Sequence, residues 1–309
     1  MALRFTVLAS GSGGNASLVE ANGFGLLLDA GLGPRQLAGR LAAAGASWHN
    51  VHAVLLTHTH SDHWNERTLL HLQRRGLPVW CHADHHHTLE MYSASFPALR
   101  TAGLVRGYEE GREWLLAPGL RCRPLRLRHD GGATFGFRLE GGADLFGQTF
   151  ALAYLADLGS WDPALVEALG DVDVLALEFN HDVGLEHASG RQPQLITRVL
   201  GDEGHLSNEQ AAALLRELLR RSPPGRLRHV VQLHLSRECN RPDLAAAVAR
   251  AILAELDRPI ELHTARQDEP LPTLHVGTAE VAQRQRRTVP RRRPAAAPTQ
   301  PWLPGLENA

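Results

Sequence analysis

The segment Thr57-His58-Thr59-His60-Ser61-Asp62-His63 places four metal-ligating side chains within six residues. It follows the apolar run 53–56 and precedes a helical pattern that begins near Asn65, so it forms a tight loop between a buried strand and a helix. In such a loop residues two apart can point the same way. His58 and His60 can therefore hold one ion while Asp62 and His63 reach a second. Neutral imidazole is the commonest protein metal ligand, and with eighteen histidines in the chain their placement is the first feature to read.

Three further candidates stand where strands end. His129 closes the alternating run Leu125, Leu127, His129, whose other face is Arg126 and Arg128, so its imidazole shares the buried side of the leucines. Asp157 follows the run 150–155, and His234 follows 230–233. Each alone could be a satisfied core or loop residue; together with the His-rich loop they converge on one site. Glu178, Asn180 and His181 close the run 172–177, Ser236 follows His234, and His205 stands just ahead of a helix start marked by Ser207 and Gln210, a capping box.

Other motifs read as structural. Asp29, between Leu28 and Ala30-Gly31, is a carboxylate placed to order the His-rich loop. Gly11-Ser12-Gly13-Gly14 leads into a strand at 16–21 rather than a helix, so it is a tight hairpin and not a phosphate cradle. His85, His86 and His87 are consecutive, cannot all face one point of a helix, and read as a solvated surface. Arg191, Arg198, Arg237 and Arg241 flank the candidate motifs and could steer a polyanion.

The elements that must position these residues are short apolar runs at 3–8, 24–28, 53–56, 79–81, 150–155, 172–177 and 229–233, and helical patterns at 34–44, 65–75, 163–169, 208–221 and 242–256. Asp162-Pro163 starts one helix and Gly170 ends it. In each half strands come first and helices after, without a βαβ repeat. That order predicts an α/β (α+β) fold: a four-layer αββα sandwich of two mixed β-sheets, face to face with helices outside, over residues 1–276. From 277 to 309 the chain turns Arg- and Pro-rich, with Arg286, Arg287, Arg291, Arg292 and Arg293, and reads as a disordered tail whose apolar end, 300–306, offers a peptide for a protein partner.

Composition narrows the classes. A net charge of -1 carries no general polyanion signal, and every basic residue is Arg. Cys81, Cys122 and Cys239 are widely spaced with no CxxC, which excludes a zinc ribbon or disulfide framework and predicts free thiols. The N-terminus opens on a strand with no signal core, and no apolar run approaches membrane-spanning length, so the expectation is a cytoplasmic protein with no membrane partner. Oligomeric state is not legible.

The HxHxDH loop with His129, Asp157 and His234 resembles the ordered ligand set of the metallo-β-lactamase superfamily. The resemblance is closest to its YycJ-like branch, through Leu8-Ala9-Ser10-Gly11-Ser12-Gly13-Gly14-Asn15, Glu178-Phe179-Asn180-His181-Asp182, Gly204-His205-Leu206-Ser207-Asn208 and His234-Leu235-Ser236, over about residues 3–265. Thr59 and Gly13 depart from the family's usual Glu and Ser, and neither is a ligand. The resemblance implies two divalent ions, Zn or Mn: His58, His60 and His129 on the first, Asp62, His63 and His234 on the second, with Asp157 shared. In motif layout the segment between Asp157 and His234 is similar to the tRNase Z group, where a carboxylate orders a histidine that meets the phosphate. Glu178 and His205 are the equivalents here, with Asn180, His181 and Ser236 as candidate substrate contacts.

These implications predict a hydrolase, a nuclease with DNA favoured over RNA, in which the ions activate water for attack at phosphorus, Asp62 orients that water, and His205 holds the phosphate or assists the leaving oxygen. Two rivals remain: a glyoxalase II-like thioester or small-ester hydrolase, which needs neither Glu178 nor His205, and a non-catalytic metal-binding regulator. About 75 residues separate Asp157 from His234, too few for the inserted domain of a β-CASP-type enzyme.

Overall fold

The structure, a computed structural model, describes residues 2–141 and 149–277. The first sheet opens as an antiparallel meander of β1 (Ala2–Ala9), β2 (Ala16–Ala21) and β3 (Phe24–Leu28), then continues in parallel through β4 (Ala53–Leu55), β5 (Val79–His82) and β6 (Val105–Tyr108). The second sheet repeats the plan. Antiparallel β7 (Trp114–Ala117), β8 (Leu120–Leu127), β9 (Thr134–Gly141) and β10 (Phe150–Leu155) lead into parallel β11 (Val174–Glu178), β12 (His229–Leu233) and β13 (Glu261–Thr264). Finally β14 (Leu274–Gly277) returns to pair with β1 and completes the first sheet.

Helices cover both outer faces. α1 (Pro34–Ala43), α2 (Glu66–Arg75), α3 (His85–Tyr92) and α4 (Phe96–Thr101) bury Leu37, Leu41, Leu69, Leu72, Leu89 and Phe96 against the first sheet. Against the second sheet pack α5 (Pro163–Leu169), α8 (Asn208–Arg221) and α9 (Pro242–Glu255), while the short α6 (Val183–Ala188) and α7 (Pro193–Leu200) pair with each other. Between the sheets Phe5, Phe135, Phe137, Phe150 and Tyr154 fill the central layer. β10 is buried along its whole length because both its faces are covered: Leu152 and Tyr154 point to the central layer, Ala153 and Leu155 to the helices. Each fully buried Leu or Phe contributes about 1.5–3 kcal/mol. This is the expected αββα sandwich.

The parallel strands carry the predicted residues to one rim. β3 ends at Asp29, β4 at the His-rich loop, β10 at Asp157, β11 in Glu178 and β12 at His234, so both sheets deliver side chains from their carboxyl ends, where open α/β sheets present ligand sites. Helix starts follow the sequence signals: Ser207 and Gln210 form the capping box of α8, and Asp162 accepts the Leu165 N–H at the start of α5. The strand expected from residue 172 begins at Val174, and Asp173 just ahead of it is tied to Ala151 of β10 through both its backbone N–H and its side chain, each at 2.8 Å.

One reading is corrected. His85 is buried, not solvated: its Nε2 donates to the Ala133 carbonyl at 2.6 Å while the His82 N–H reaches its Nδ1 at 3.2 Å. His86 is half-buried and His87 exposed, so one of the three consecutive rings faces inward. The three cysteines are free and buried. Among the described residues no helix is long and apolar enough to cross a membrane. Of the tail expected over 277–309, Gly277 instead ends β14, and residues 278–309 with the docking segment lie outside the described residues.

Candidate metal centre

Two triads of ligand atoms gather at the rim, each with its members within 4.8 Å of one another: His58, His60 and His129, and Asp62, His63 and His234. Asp157 stands between them. Its Oδ2 is 2.9 Å from His63 Nε2, and its Oδ1 is 3.8 Å from His129 Nε2 and 3.4 Å from His234 Nδ1. His60 Nδ1 and His129 Nε2 are 3.2 Å apart, and His234 Nε2 is 3.1 Å from Asp62 Oδ2.

A second layer fixes these rings. Asp29 accepts from the Thr57 N–H at 2.8 Å, from the Thr57 hydroxyl, and from His63 Nδ1 at 2.8 Å, so one buried carboxylate sets both the start of the loop and the orientation of His63. His129 Nδ1 donates to the Gly204 carbonyl at 2.8 Å. The loop backbone is clamped in turn: Asn15 N–H reaches the Asp62 carbonyl at 2.7 Å, and Ala30 N–H reaches that of His63 at 2.9 Å. Gly31 lies so close to this loop that a Cβ on it would stand 1.8 Å from the Asp62 carbonyl oxygen. Asp29 and His234 both adopt positive φ, 60° and 54°, a conformation uncommon outside glycine that concentrates at functional sites.

Sequence reasoning missed several of these supports. Asn15 also donates its side-chain amide to Asp62 Oδ2 at 3.2 Å, Ser10 Oγ accepts the His234 N–H at 2.8 Å, and the Tyr108 hydroxyl reaches the Leu56 carbonyl at 2.8 Å. The motif Leu8 to Asn15 was the available signal for the first two. Nothing in the sequence links Tyr108 to the loop.

Beside the triads, His205 Nδ1 lies 2.7 Å from Glu178 Oε1, while Glu178 Oε2 accepts the N–H groups of Leu158 and Leu206 at 3.0 and 3.2 Å. Glu178 is fully buried and the His205 side chain is 17% exposed, so the pair runs from the interior to the rim. Two of the three candidate substrate contacts, Asn180 and Ser236, have hydrogen-bond partners, while both ring nitrogens of His181 are buried without one. The Asn180 amide donates to the His234 carbonyl at 2.8 Å, His181 is fully buried, and Ser236 Oγ accepts the Cys239 N–H at 3.1 Å. Asn180 also accepts the Ser236 N–H at 2.8 Å, so these two residues brace the turn at His234. The four arginines near the motifs also have carboxylate partners: Arg191 meets Glu186 and Glu238, Arg198 meets Asp130, Arg237 meets Asp268, and Arg241 meets Asp243. Their positive field is largely neutralised locally.

The electrostatics fit a cation. Burial opposes charge on His63 and His234, yet Asp157 with Asp29 and Asp62 around the first, and Asp157 with Asp62 and Glu178 around the second, hold both pKa values well above the ordinary imidazole range. Burial likewise opposes charge on Asp62 and Asp157, but His63 and His234 outweigh it and keep both carboxylates ionised well below their usual range. His205 is shifted upward, since Glu178 and Asp157 overcome its burial. His58 moves far down through burial and the neighbouring His63 charge, and His60 moves down through burial and His129.

Carboxylates thus crowd the pocket in excess of what neutral imidazoles need. His58 Nε2 is buried with no hydrogen-bond partner, and Asp157 Oδ2, despite its proximity to His63, makes no well-directed hydrogen bond. Orphaned donor atoms among imidazole and carboxylate groups are the ligand chemistry that suits Zn or Mn.

The comparisons with known proteins agree with this architecture. The exodeoxyribonuclease WalJ of Streptococcus pneumoniae serotype 2 is 26% identical over 254 residues, spanning 82% of this chain and 89% of that protein. The exodeoxyribonuclease YycJ of Bacillus anthracis is 26% identical over 260 residues, spanning 82% and 90%. Among solved structures, the metallo-β-lactamase fold protein YhfI from Bacillus subtilis superposes with a TM-score of 0.60 at 17% identity, covering 88% of this chain and 99% of that one. The family profile described as Beta-lactamase superfamily domain matches residues 25–224, and with that match across well over half its length the chain belongs to the β-lactamase superfamily.

Proposed function

We propose that this protein is a metal-dependent phosphodiester hydrolase, a nuclease acting on DNA. His58, His60 and His129 would hold one divalent ion, Asp62, His63 and His234 a second, and Asp157 would be shared. Such ions, when bound, acidify water and neutralise charge on a phosphate. Asp62, anchored through Oδ2 by Asn15 and His234, would orient the attacking water. Glu178 fixes His205 by accepting from Nδ1, which leaves Nε2 for a phosphate oxygen or for proton donation to the leaving oxygen.

The observation that carries this reading is the Glu178–His205 pair at 2.7 Å beside the ligand cluster. A thiolate leaves without a proton and a carboxylic ester carries no charge for an imidazolium to hold, whereas a phosphodiester has both a leaving oxygen to protonate and an anionic oxygen to bind. The names of the relatives, both exodeoxyribonucleases, support the same class.

The test is a substrate panel for the chelator-stripped chain reloaded with Mn or Zn: single- and double-stranded DNA, RNA and a hydroxyacyl thioester, with wild type beside His205→Ala. DNA cleavage that collapses in the variant is the expected result. Thioester turnover that survives in the variant, with no cleavage of nucleic acid by either protein, would point to the small-ester hydrolases instead.

A further inference from the structure

At the opposite end of β12 from His234, three more ligand-bearing side chains meet. His229 opens β12 and is paired in register with Glu261, the first residue of its parallel neighbour β13, and His263 lies two residues further along β13. Side chains alternate across a sheet, so Glu261 and His263 share a face. Leu262 between them packs on the helix-covered side, as does Val230 after His229, which puts all three groups on the other face. Their ligand atoms form a compact triangle: His229 Nδ1 to His263 Nε2 is 3.3 Å, His229 Nδ1 to Glu261 Oε2 is 3.6 Å, and His263 Nε2 to Glu261 Oε2 is 3.9 Å.

Ligands about 2.0–2.1 Å from a tetrahedral ion stand about 3.3 Å from one another, so the triangle is near the size of one face of such a site. The contact between His60 and His129 in the rim cluster, 3.2 Å, has the same dimension. Exposure is graded, with the His229 side chain 5% exposed, His263 20% and Glu261 55%, so an ion could enter past the carboxylate and settle against the buried imidazole. Five residues of extended chain, about 16 Å, separate His229 from His234, too far for a ligand common to both clusters.

We propose that His229, Glu261 and His263 form a separate divalent-metal site, taking zinc or a similar borderline ion with a fourth position open to water, and that it clamps the edge strand β13 to β12. The class of ion follows from the donors: two imidazoles and one carboxylate suit Zn or Ni and are poor ligands for Ca or Mg.

The test uses the full-length protein, stripped with a chelator and titrated with zinc, with bound metal counted after desalting and cobalt substitution read by visible absorption. The expected result is that His263→Gln binds one zinc equivalent fewer than wild type and loses one component of the cobalt spectrum, with DNA cleavage and its metal requirement unchanged. Glu261→Gln, at an exposed position that folding tolerates, keeps the site but weakens that equivalent about tenfold or more. Should His263→Gln fail to fold, Glu261→Gln carries the test alone. Equal zinc counts, affinities and cobalt spectra for wild type and the folded variants would overturn the proposal.

Discussion

His63 Nδ1 lies 2.8 Å from Asp29 Oδ2, and the same carboxylate accepts the backbone N–H of Thr57 at 2.8 Å. The residue that ends β3 thus fixes both the entry of the His-rich loop and the tautomer of the last histidine in it, since a proton on Nδ1 leaves Nε2 free to ligate. Removing that carboxylate should loosen the ring without deleting a ligand. We expect Asp29→Asn to bind the second metal equivalent about 10–100-fold more weakly, measured by competition with a chromophoric chelator. Unaltered affinity would show that loop packing alone orients His63.

Glu178 and His205 should separate chemistry from metal binding. His205→Ala is expected to lower kcat for DNA cleavage by about 10²–10⁴ while metal content stays near that of wild type. Glu178→Gln should cost less than His205→Ala, because the amide retains one oxygen acceptor but no longer supplies charge to the ring. If both variants cleave like wild type, the pair is structural.

His85 makes a stability prediction independent of the metal centre. Burial pushes its pKa down to about 4, outweighing the Ala133 carbonyl that favours the charged ring. The unfolded chain takes up a proton on this ring near the ordinary value of 6.5, so the contribution of His85 is complete above about pH 6.5 and is lost as the pH falls toward 4. The loss amounts to about 3 kcal/mol. Urea unfolding of His85→Gln beside wild type, from pH 7 to pH 4, should show a smaller decline for the variant. Parallel declines would remove His85 from the account.

Gly31 offers a backbone test. A methyl group there would meet the Asp62 carbonyl oxygen at 1.8 Å, and the oxygen cannot yield without breaking its bond from the Asn15 N–H. Gly31→Ala should destabilise the fold by about 1–3 kcal/mol and weaken metal binding together, read from the denaturation midpoint and from metal titration. Loss of stability with intact metal affinity would show that the clash relaxes away from the loop.

Much of the candidate site's layout was legible in the sequence because its candidate ligands sit where strands stop. The loop from His58 to His63, with His129, Asp157 and His234, could be read from apolar runs ending in polar residues, and the run 150–155 could be read as the strand that β10 is. The unread parts have physical reasons. β6, β7, β13 and β14 are four-residue strands with partly exposed patterns, too short for their periodicity to register. His85 was misread because one buried ring in a run of three has no signature in spacing. Asn15, Ser10 and Tyr108 act through contacts between distant segments, which only the tertiary structure brings together.

The central claim is tested most directly by adding Mn or Zn back to chelator-stripped protein on end-labelled single-stranded DNA, with Asp62→Ala run in parallel. The account predicts that cleavage appears only with metal and only in the wild-type chain. No cleavage under either metal, or equal cleavage by Asp62→Ala, would contradict it.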